Sequence, residues 1–240
     1  MKKVKSINNH HISKNWITES ELMQSIDTYT NKISESHRLH RKIKFLLDIR
    51  GLLIINKIQG DYVEFGIYRG EMMYAAASIL SPHIKKYIGL DTFAGLPEPH
   101  EKDTTHFVFE SQGFMSAPQK FAENMLSGYN IKLIKGDFRE QEISRKFKPE
   151  VSKISVLVID CNWPSSVEAA LTLSAPFFQS GTIIFIDDYF IGTRYPNFNN
   201  PILLKIAEKY DLKFIEYMTY PPCGRVFLVE EETRRDEKLK

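Results

Sequence analysis

Five short apolar segments of this sequence end in acidic residues, and this pattern limits the possible folds more than any other feature. The segments are rich in Val, Ile and Leu and alternate with stretches of helix length, and their terminal acids are Glu64, Asp91, Asp137, Asp160 and the pair Asp187-Asp188. Such runs, bounded by turn residues, predict buried parallel strands. Because ligands bind outside the carboxyl ends of strands in open parallel sheets, we expect the acids along one ligand-binding edge.

The alternation of strand and helix patterns predicts an α/β fold with a doubly wound, mostly parallel sheet of seven strands. Strands are predicted at 61–65, 86–91, 131–135, 154–160 and 182–187, and helices at 70–80, 117–127, 139–147, 165–178 and 200–210. The last two apolar runs, 212–219 and 225–230, are separated by only five residues. A link of that length cannot contain a crossover helix, so these strands should form a C-terminal antiparallel hairpin.

These patterns divide the chain into a helical extension, an α/β domain and a tail. Residues 1–57 form an N-terminal helical extension, because the apolar residues between Thr18 and Lys57 have helical spacing, and residues 58–232 form the α/β domain. Residues 233–240 are a charged, solvated tail. The apolar content of the extension predicts that it packs on the sheet or on a second subunit, and we expect a homo-oligomer.

Composition narrows the range of partners. The 32 basic and 30 acidic residues give a net charge of +2, so a nucleic-acid-binding surface is not indicated. The basic N-terminus lacks the apolar core of a signal peptide, and no apolar run reaches the length of a membrane span. Two cysteines fit a reducing compartment. We therefore expect a soluble cytoplasmic protein that does not bind a membrane.

A long connection follows the second predicted strand. About two dozen residues separate Asp91 from the helix near Ala117. Connections of this length are often disordered or act as lids over a ligand. The aromatic residues Phe93, Phe107, Phe109 and Phe114 favour an ordered lid, in which His100 and His106 could face the substrate.

The turn after the first strand has the pattern E-x-G-x-x-x-G, from Glu64 to Gly70. It lacks the G-x-G-x-x-G of dinucleotide-binding proteins, so a pyrophosphate site is not expected, although a purely structural turn would look the same. Asp91 is positioned to bind both ribose hydroxyls of a nucleoside. Asp137 could bind an adenine amino group or cap a helix. Arg69, inside the turn, could meet a ligand carboxylate or form a structural ion pair.

Several segments resemble the macrocin O-methyltransferase family, within the class I S-adenosylmethionine-dependent methyltransferases. They are VEFGIYRGEMMYAA, YIGLDTFAGLPEP, FMSAPQKFAENMLSGYNIKLIKGDF and GTIIFIDDY, and the resemblance covers roughly residues 50–230. It implies a Rossmann-like methyltransferase fold and S-adenosylmethionine as cofactor, bound by Glu64, Gly66, Gly70, Asp91 and Asp137. We extend the predicted cofactor contacts to Tyr68, Thr92, Phe138 and Asp160.

Asp160 and the pair Asp187-Asp188 end consecutive strands that such a sheet places side by side. Neighbouring strands lie about 4.8 Å apart, so these carboxylates can share one ion. Three oxygen ligands without Cys or His suit Mg²⁺ (or Mn²⁺), and the resemblance indicates the same residues. In the alternative interpretation, Asp187 caps a turn and Asp188 is merely solvated. A bound cation would lower the pKa of an acceptor hydroxyl, and Asp160 is a candidate catalytic base.

The sequence departs from many relatives at Asn162, where they have an acid, and at Pro164. Trp163 beside them could stack on a sugar or belong to the core. We predict metal-assisted transfer of a methyl group to a hydroxyl of a sugar or sugar-containing small molecule. The alternatives are a catalytically altered S-adenosylmethionine-binding protein and a nicotinamide-dependent oxidoreductase. The missing second glycine and the lack of a Tyr-x-x-x-Lys pair argue against the oxidoreductase.

Overall fold

The computed structural model of the protein describes residues 20, 21, 24, 36–81, 83–103, 112–190, 200–220 and 223–231. Parts of the predicted structure lie outside these ranges. They are most of the helical extension before residue 36, the middle of the long connection with His106, Phe107 and Phe109, and the tail 233–240. The division of the chain at residues 57 and 232 stays a prediction.

In the described part of the chain, strands and helices alternate as the sequence predicts. The strands are β1 Gly60–Phe65, β2 Ile84–Asp91, β3 Ile131–Lys135, β4 Ile154–Ile159, β5 Ile183–Ile186, β6 Leu212–Tyr220 and β7 Gly224–Glu231. The helices are α1 Ser36–Ile55, α2 Glu71–Leu80, α3 Gln119–Met125, α4 Gln141–Phe147, α5 Pro164–Ser174 and α6 Asn200–Tyr210. Among these described helices, none combines the length and the apolar character that crossing a membrane requires.

The fifth helix is shorter than predicted. The sequence pattern predicts a helix over 165–178, whereas α5 ends at Ser174 and continues as a single 3₁₀ turn, Ala175–Phe177. Pro176 lies in that turn. Because proline lacks a backbone N–H and clashes with the preceding helical turn, it stops the α-helix here.

The seven strands form one sheet in the order β3-β2-β1-β4-β5-β7-β6. β1 to β5 pair in parallel, and β7 pairs antiparallel with both β5 and β6. The predicted seven-stranded sheet with its C-terminal antiparallel hairpin is therefore confirmed. The strand order reverses between β1 and β4, and ligands bind at such a switch point in doubly wound sheets.

Helices cover both faces of the sheet. Successive side chains of a strand point to opposite faces, so Tyr62 and Val63 of β1 belong to two different apolar clusters. Helices α1, α2 and α3 contribute to the cluster around Tyr62, and α4, α5 and α6 to the cluster around Val63. Both faces are thus buried, which explains why the central strands β4 and β5 consist almost entirely of apolar residues.

Helix α1 packs on the sheet, as predicted for part of the helical extension. Phe45 is fully buried and stacks on Phe185 of β5 with ring centroids 4.6 Å apart, and Ile49 and Leu53 are buried beside it. Burial of each such side chain contributes about 1.5–3 kcal/mol. The helix is therefore fixed against the sheet, and its N-terminal half reaches the carboxyl edge of the strands.

Candidate active site

A pocket opens at the carboxyl ends of β1, β2 and β4, on the edge that the acidic residues predict. Eight of the nine predicted cofactor residues line it: Glu64, Gly66, Tyr68, Asp91, Thr92, Asp137, Phe138 and Asp160. The ninth, Gly70, is not among the described lining residues; it precedes α2 and packs against α3, where a Cβ would lie 3.3 Å from Leu126. Leu39 and Lys42 of α1, residues of the loop after β2, and Asn162 after β4 also line it.

The turn after β1 brings the tips of β1 and β4 together. Gly66 has a φ of 86°, and a Cβ at this position would lie 1.9 Å from the carbonyl oxygen of Asp160. Tyr68 in the same turn also has a positive φ, of 54°. Only glycine fits at position 66, because the backbone of β4 occupies the space of a side chain.

Asp91 connects the two loops that form the floor of the pocket. Its Oδ2 accepts hydrogen bonds from the backbone N–H of Ile67 at 2.7 Å and of Tyr68 at 2.8 Å, and its Oδ1 accepts one from Phe93 at 2.7 Å. Burial raises the pKa of Asp91, and these hydrogen bonds oppose the rise. Asp91 therefore holds the turn after β1 and the loop after β2 together through one carboxylate.

Asp137 is paired with Arg139, a partner that the sequence analysis missed. The guanidinium donates from Nε to both carboxylate oxygens at 3.0 Å and from Nη2 to Oδ2 at 2.7 Å. Burial would raise the pKa of Asp137, but the hydrogen bonds from Arg139 lower it overall. The N-cap of α4 is Glu140, so Asp137 does not cap that helix. The D-x-R spacing of residues 137–139 is a local signal that could have indicated this pair.

The loop after β2 is attached to α5 at two points. The side chain of Asp103 is completely buried and accepts hydrogen bonds from the backbone N–H of Ser165 at 2.9 Å and from its hydroxyl at 2.6 Å. The indole N–H of Trp163 donates to the carbonyl of Pro97 at 3.3 Å. Trp163 is 1% exposed, so it belongs to the core rather than to an open sugar-stacking surface. The described part of the predicted lid is thus ordered, with Phe93 buried, whereas Phe114 and His100 are exposed.

The three acids predicted to share an ion lie together. One carboxylate oxygen each of Asp160, Asp187 and Asp188 can be chosen so that all lie within 4.8 Å of one another. Lys42 of α1 points into this cluster. Its ammonium makes a short contact with Oδ2 of Asp160 and lies 3.2 Å from Oδ2 of Asp187. Lys42 thus supplies one positive charge that offsets part of the repulsion among the acids.

Burial raises the pKa values of two acids in the pocket. It raises the pKa of Asp160 to about 6; the Lys42 ammonium opposes this rise and Asp187 adds to it. Burial also raises the pKa of Glu64 to about 8, although Glu64 accepts a hydrogen bond of 2.6 Å from the Tyr62 hydroxyl. Glu64 is therefore mostly protonated at neutral pH, and it can release a proton when a cationic ligand binds beside it.

The raised pKa of Glu64 predicts that the stability of the protein depends on pH. Between about pH 4.5 and 8, the unfolded chain ionises Glu64 while the folded protein keeps it protonated, so the unfolding free energy falls as pH rises. The free energy of unfolding should therefore differ between wild type and Glu64→Gln in a pH-dependent way. We expect this difference in free energy to change by at most about 1.4 kcal/mol per pH unit in this window and to stay constant above it. Urea unfolding of both proteins across the window measures this difference. Stability curves that stay parallel would contradict the assignment.

Comparisons with known proteins agree with this architecture. The family model described as Macrocin-O-methyltransferase (TylF) matches residues 8–199. The structure of the O-methyltransferase NovP aligns with a TM-score of 0.67 and 16% identity, covering 88% of this chain and 99% of NovP. The calicheamicin methyltransferase CalS11 aligns with a TM-score of 0.61 and 17% identity, covering 91% of this chain and 98% of CalS11. No curated protein matched the chain.

Proposed function

The chain belongs to the macrocin O-methyltransferase (TylF) family, and from that membership we propose that it moves a methyl group from S-adenosylmethionine to a hydroxyl of a sugar or sugar-containing small molecule. The family and the structures similar to this chain are O-methyltransferases, so the reaction class follows from the membership. The acceptor class is the proposed part. It is supported by CalS11, which is described as a TDP-rhamnose 3′-O-methyltransferase.

The pocket with its line of acids is the observation that carries the proposal. We assign the nucleoside of the cofactor to the part lined by Asp91, Asp137 and Phe138, with Glu64, Gly66, Tyr68 and Thr92 as neighbouring contacts. The acceptor side is assigned to α1 and the loop after β2, which contribute Leu39 and Leu96 to the lining. In this arrangement the sulfonium group lies toward Asp160, at the end of the pocket where the acidic cluster begins.

We further propose that Asp160, Asp187 and Asp188 hold Mg²⁺ or Mn²⁺. The donor set fits such an ion, because it offers three clustered carboxylate oxygens with a total charge of −3, of which Lys42 offsets only one unit. When bound, the ion supplies a Lewis acid that lowers the pKa of the acceptor hydroxyl. The carboxylates orient the acceptor hydroxyl, and the pocket excludes water from the reacting atoms.

Asp160 is the proposed catalytic base. In methyl transfer the acceptor oxygen bonds to the methyl carbon as the carbon–sulfur bond breaks, S-adenosylhomocysteine leaves, and the hydroxyl proton passes to a base. Asp160 lines the pocket, so a carboxylate oxygen that the ion does not use can face the acceptor hydroxyl and take this proton. Asn162 lines the same pocket, but its side-chain amide is not basic enough to accept this proton.

One observation favours a second candidate, an S-adenosylmethionine-binding protein without transferase activity. Lys42 contacts two of the three acids that would hold the ion, so its ammonium occupies the place where a metal ion would bind. In that case the pocket would bind the cofactor, and the cluster would be a structural ion pair. Family membership leaves no support for the nicotinamide-dependent oxidoreductase.

The cytoplasmic location and the homo-oligomer remain proposals. Cys161 is buried and is not joined to Cys223 by a disulfide, which supports a reducing compartment. Apolar side chains are exposed on the edge strand β6 at Ile215 and Tyr217 and on α6 at Leu204. Their exposure supports burial against another subunit, because the edge of a sheet readily pairs with a second chain.

Calorimetric titration tests the cofactor part of the proposal. We expect S-adenosylhomocysteine to bind the wild type at one site per chain, while NAD produces no comparable heat. Asp91→Ala should weaken this binding by about 10- to 100-fold, because it removes a charged acceptor and loosens the turn that it fixes. Unchanged affinity in Asp91→Ala, or preferential binding of NAD by the wild type, would refute the assignment.

A further inference from the structure

We propose that Arg139 is a positioning residue that couples the cofactor pocket to the loop after β2. Its guanidinium joins Asp137, which lines the pocket, to Asp103, which anchors that loop on α5. The inference rests on the proposed function, since it takes Asp137 as a cofactor contact and the loop as part of the acceptor side. It predicts that binding of the cofactor stabilises the loop and makes the acceptor side of the pocket more rigid.

The guanidinium of Arg139 contacts two acids that belong to different parts of the chain. Nε and Nη2 donate to the carboxylate of Asp137, after β3. Nη1 donates to the hydroxyl of Ser165 at 3.2 Å and lies 3.9 Å from Oδ2 of Asp103, in the loop after β2. Because the guanidinium is planar and rigid, it fixes the position of Asp137 relative to Ser165 and Asp103.

Asp103 holds the loop on the first turn of α5. Its Oδ2 accepts hydrogen bonds from the hydroxyl of Ser165 at 2.6 Å and from the backbone N–H of His100 at 2.8 Å. Its Oδ1 accepts one from the backbone N–H of Ser165 at 2.9 Å. The hydroxyl of Ser165 therefore links the two charged groups, because it donates to Asp103 and accepts from Arg139.

Burial makes this network sensitive to the loss of any member. Asp103 is completely buried, Ser165 is 4% exposed and the side chain of Arg139 is 9% exposed, so water has little access to replace a missing partner. Hydrogen bonds in such surroundings strengthen one another, whereas a buried charge without its partner is costly.

The network transmits order from the pocket to the loop. A ligand that fixes the carboxylate of Asp137 restricts the guanidinium of Arg139. The restricted guanidinium keeps Ser165 and Asp103 in place, and Asp103 keeps the loop on α5. Ordering at one end of the network therefore favours ordering at the other end.

Hydrogen exchange measured by mass spectrometry tests this coupling. The probe is the backbone N–H of His100, which donates to Asp103, and His100 is not among the described residues that line the cofactor pocket. We expect saturating S-adenosylhomocysteine to slow the exchange of this N–H by about 5-fold or more in the wild type. In Ser165→Ala, which loses the linking hydroxyl, the ligand should bind nearly as in the wild type but slow the exchange by less than about 2-fold.

Substitutions of Arg139 should affect both ends of the network. Arg139→Met should lose the slowed exchange and also weaken S-adenosylhomocysteine binding, because Asp137 loses the group that orients it. Arg139→Lys keeps the charge without the bidentate geometry, so it should recover part of both effects. Arg145→Met is the matched control, since Arg145 is exposed on α4 and its described side-chain hydrogen bond is to Gln141. It should behave like the wild type.

The comparison with and without ligand within each variant separates the coupling from a general loss of stability. Slowing of the wild-type size in Ser165→Ala, or in Arg139→Met if Ser165→Ala does not fold, would show that the ligand protects the loop by direct contact and would overturn the proposal. So would a wild type that binds S-adenosylhomocysteine without slower exchange at His100. A wild type that does not bind S-adenosylhomocysteine at all would instead refute the proposed function.

Discussion

Gly66→Ala is expected to destabilise the protein by more than about 3 kcal/mol or to prevent its folding. The new Cβ would lie 1.9 Å from the carbonyl oxygen of Asp160, and a backbone atom cannot move aside as a flexible side chain can. The substitution would therefore force the tips of β1 and β4 apart, at the point where the pocket opens. Urea unfolding and S-adenosylhomocysteine binding of the purified variant measure both consequences.

Gly128→Ala provides the matched control for this substitution. Gly128 also has a positive φ, of 99°, but a Cβ there would meet no atom within 4 Å. Its replacement should cost only the backbone strain, about 1–2 kcal/mol, and leave cofactor binding unchanged. The difference between the two variants isolates the effect of the close approach. Equal losses of stability would contradict the geometry assigned to the turn.

Asp187→Asn is expected to reduce turnover by about 100-fold or more while S-adenosylhomocysteine binds nearly as in the wild type. Asp187 belongs to the acidic cluster but is not among the described residues that line the cofactor pocket. Losing its charge weakens the proposed metal site and leaves the proposed cofactor contacts in place. Asp211→Asn is a suitable control, because Asp211 is exposed and its φ of 53° is one that asparagine tolerates.

Lys42 allows a sharper version of this experiment. If the metal supplies the activating charge, EDTA should abolish turnover, Mg²⁺ or Mn²⁺ should restore it, and Lys42→Met should keep its dependence on the metal. If Lys42 itself is the activating cation, EDTA should have no effect and Lys42→Met should lose activity. The second pattern would contradict the proposed metal mechanism.

The sheet and the clustering of the three acids could be predicted from the sequence, because both depend on local sequence patterns. Apolar runs bounded by turns define buried strands, and parallel strands bring their carboxyl ends to one edge. From this alone, Asp160, Asp187 and Asp188 were expected together, and their oxygens lie within 4.8 Å of one another. The end of α5 at Ser174 could also have been predicted, because Pro176 follows two residues later.

The contacts that complete the site were not predictable, because they join residues far apart in the sequence. Lys42 lies 118 positions from Asp160, and Asp103 lies 62 positions from Ser165. A lysine on an amphipathic helix and an aspartate in a polar loop look like ordinary surface residues until the helix and the loop are packed on the sheet. Tertiary packing alone decides that Lys42 enters the acidic cluster and that Asp103 is completely buried.

Transfer of labelled methyl groups tests the central claim most directly. The enzyme would be incubated with methyl-labelled S-adenosylmethionine, TDP-rhamnose and related nucleotide sugars, with Mg²⁺ or with EDTA, and the products analysed by mass spectrometry. The proposed function predicts a labelled methyl ether on a sugar hydroxyl that requires both the metal and intact Asp160. An enzyme that binds S-adenosylhomocysteine yet transfers no label to any hydroxyl with Mg²⁺ present would contradict it and favour the cofactor-binding protein.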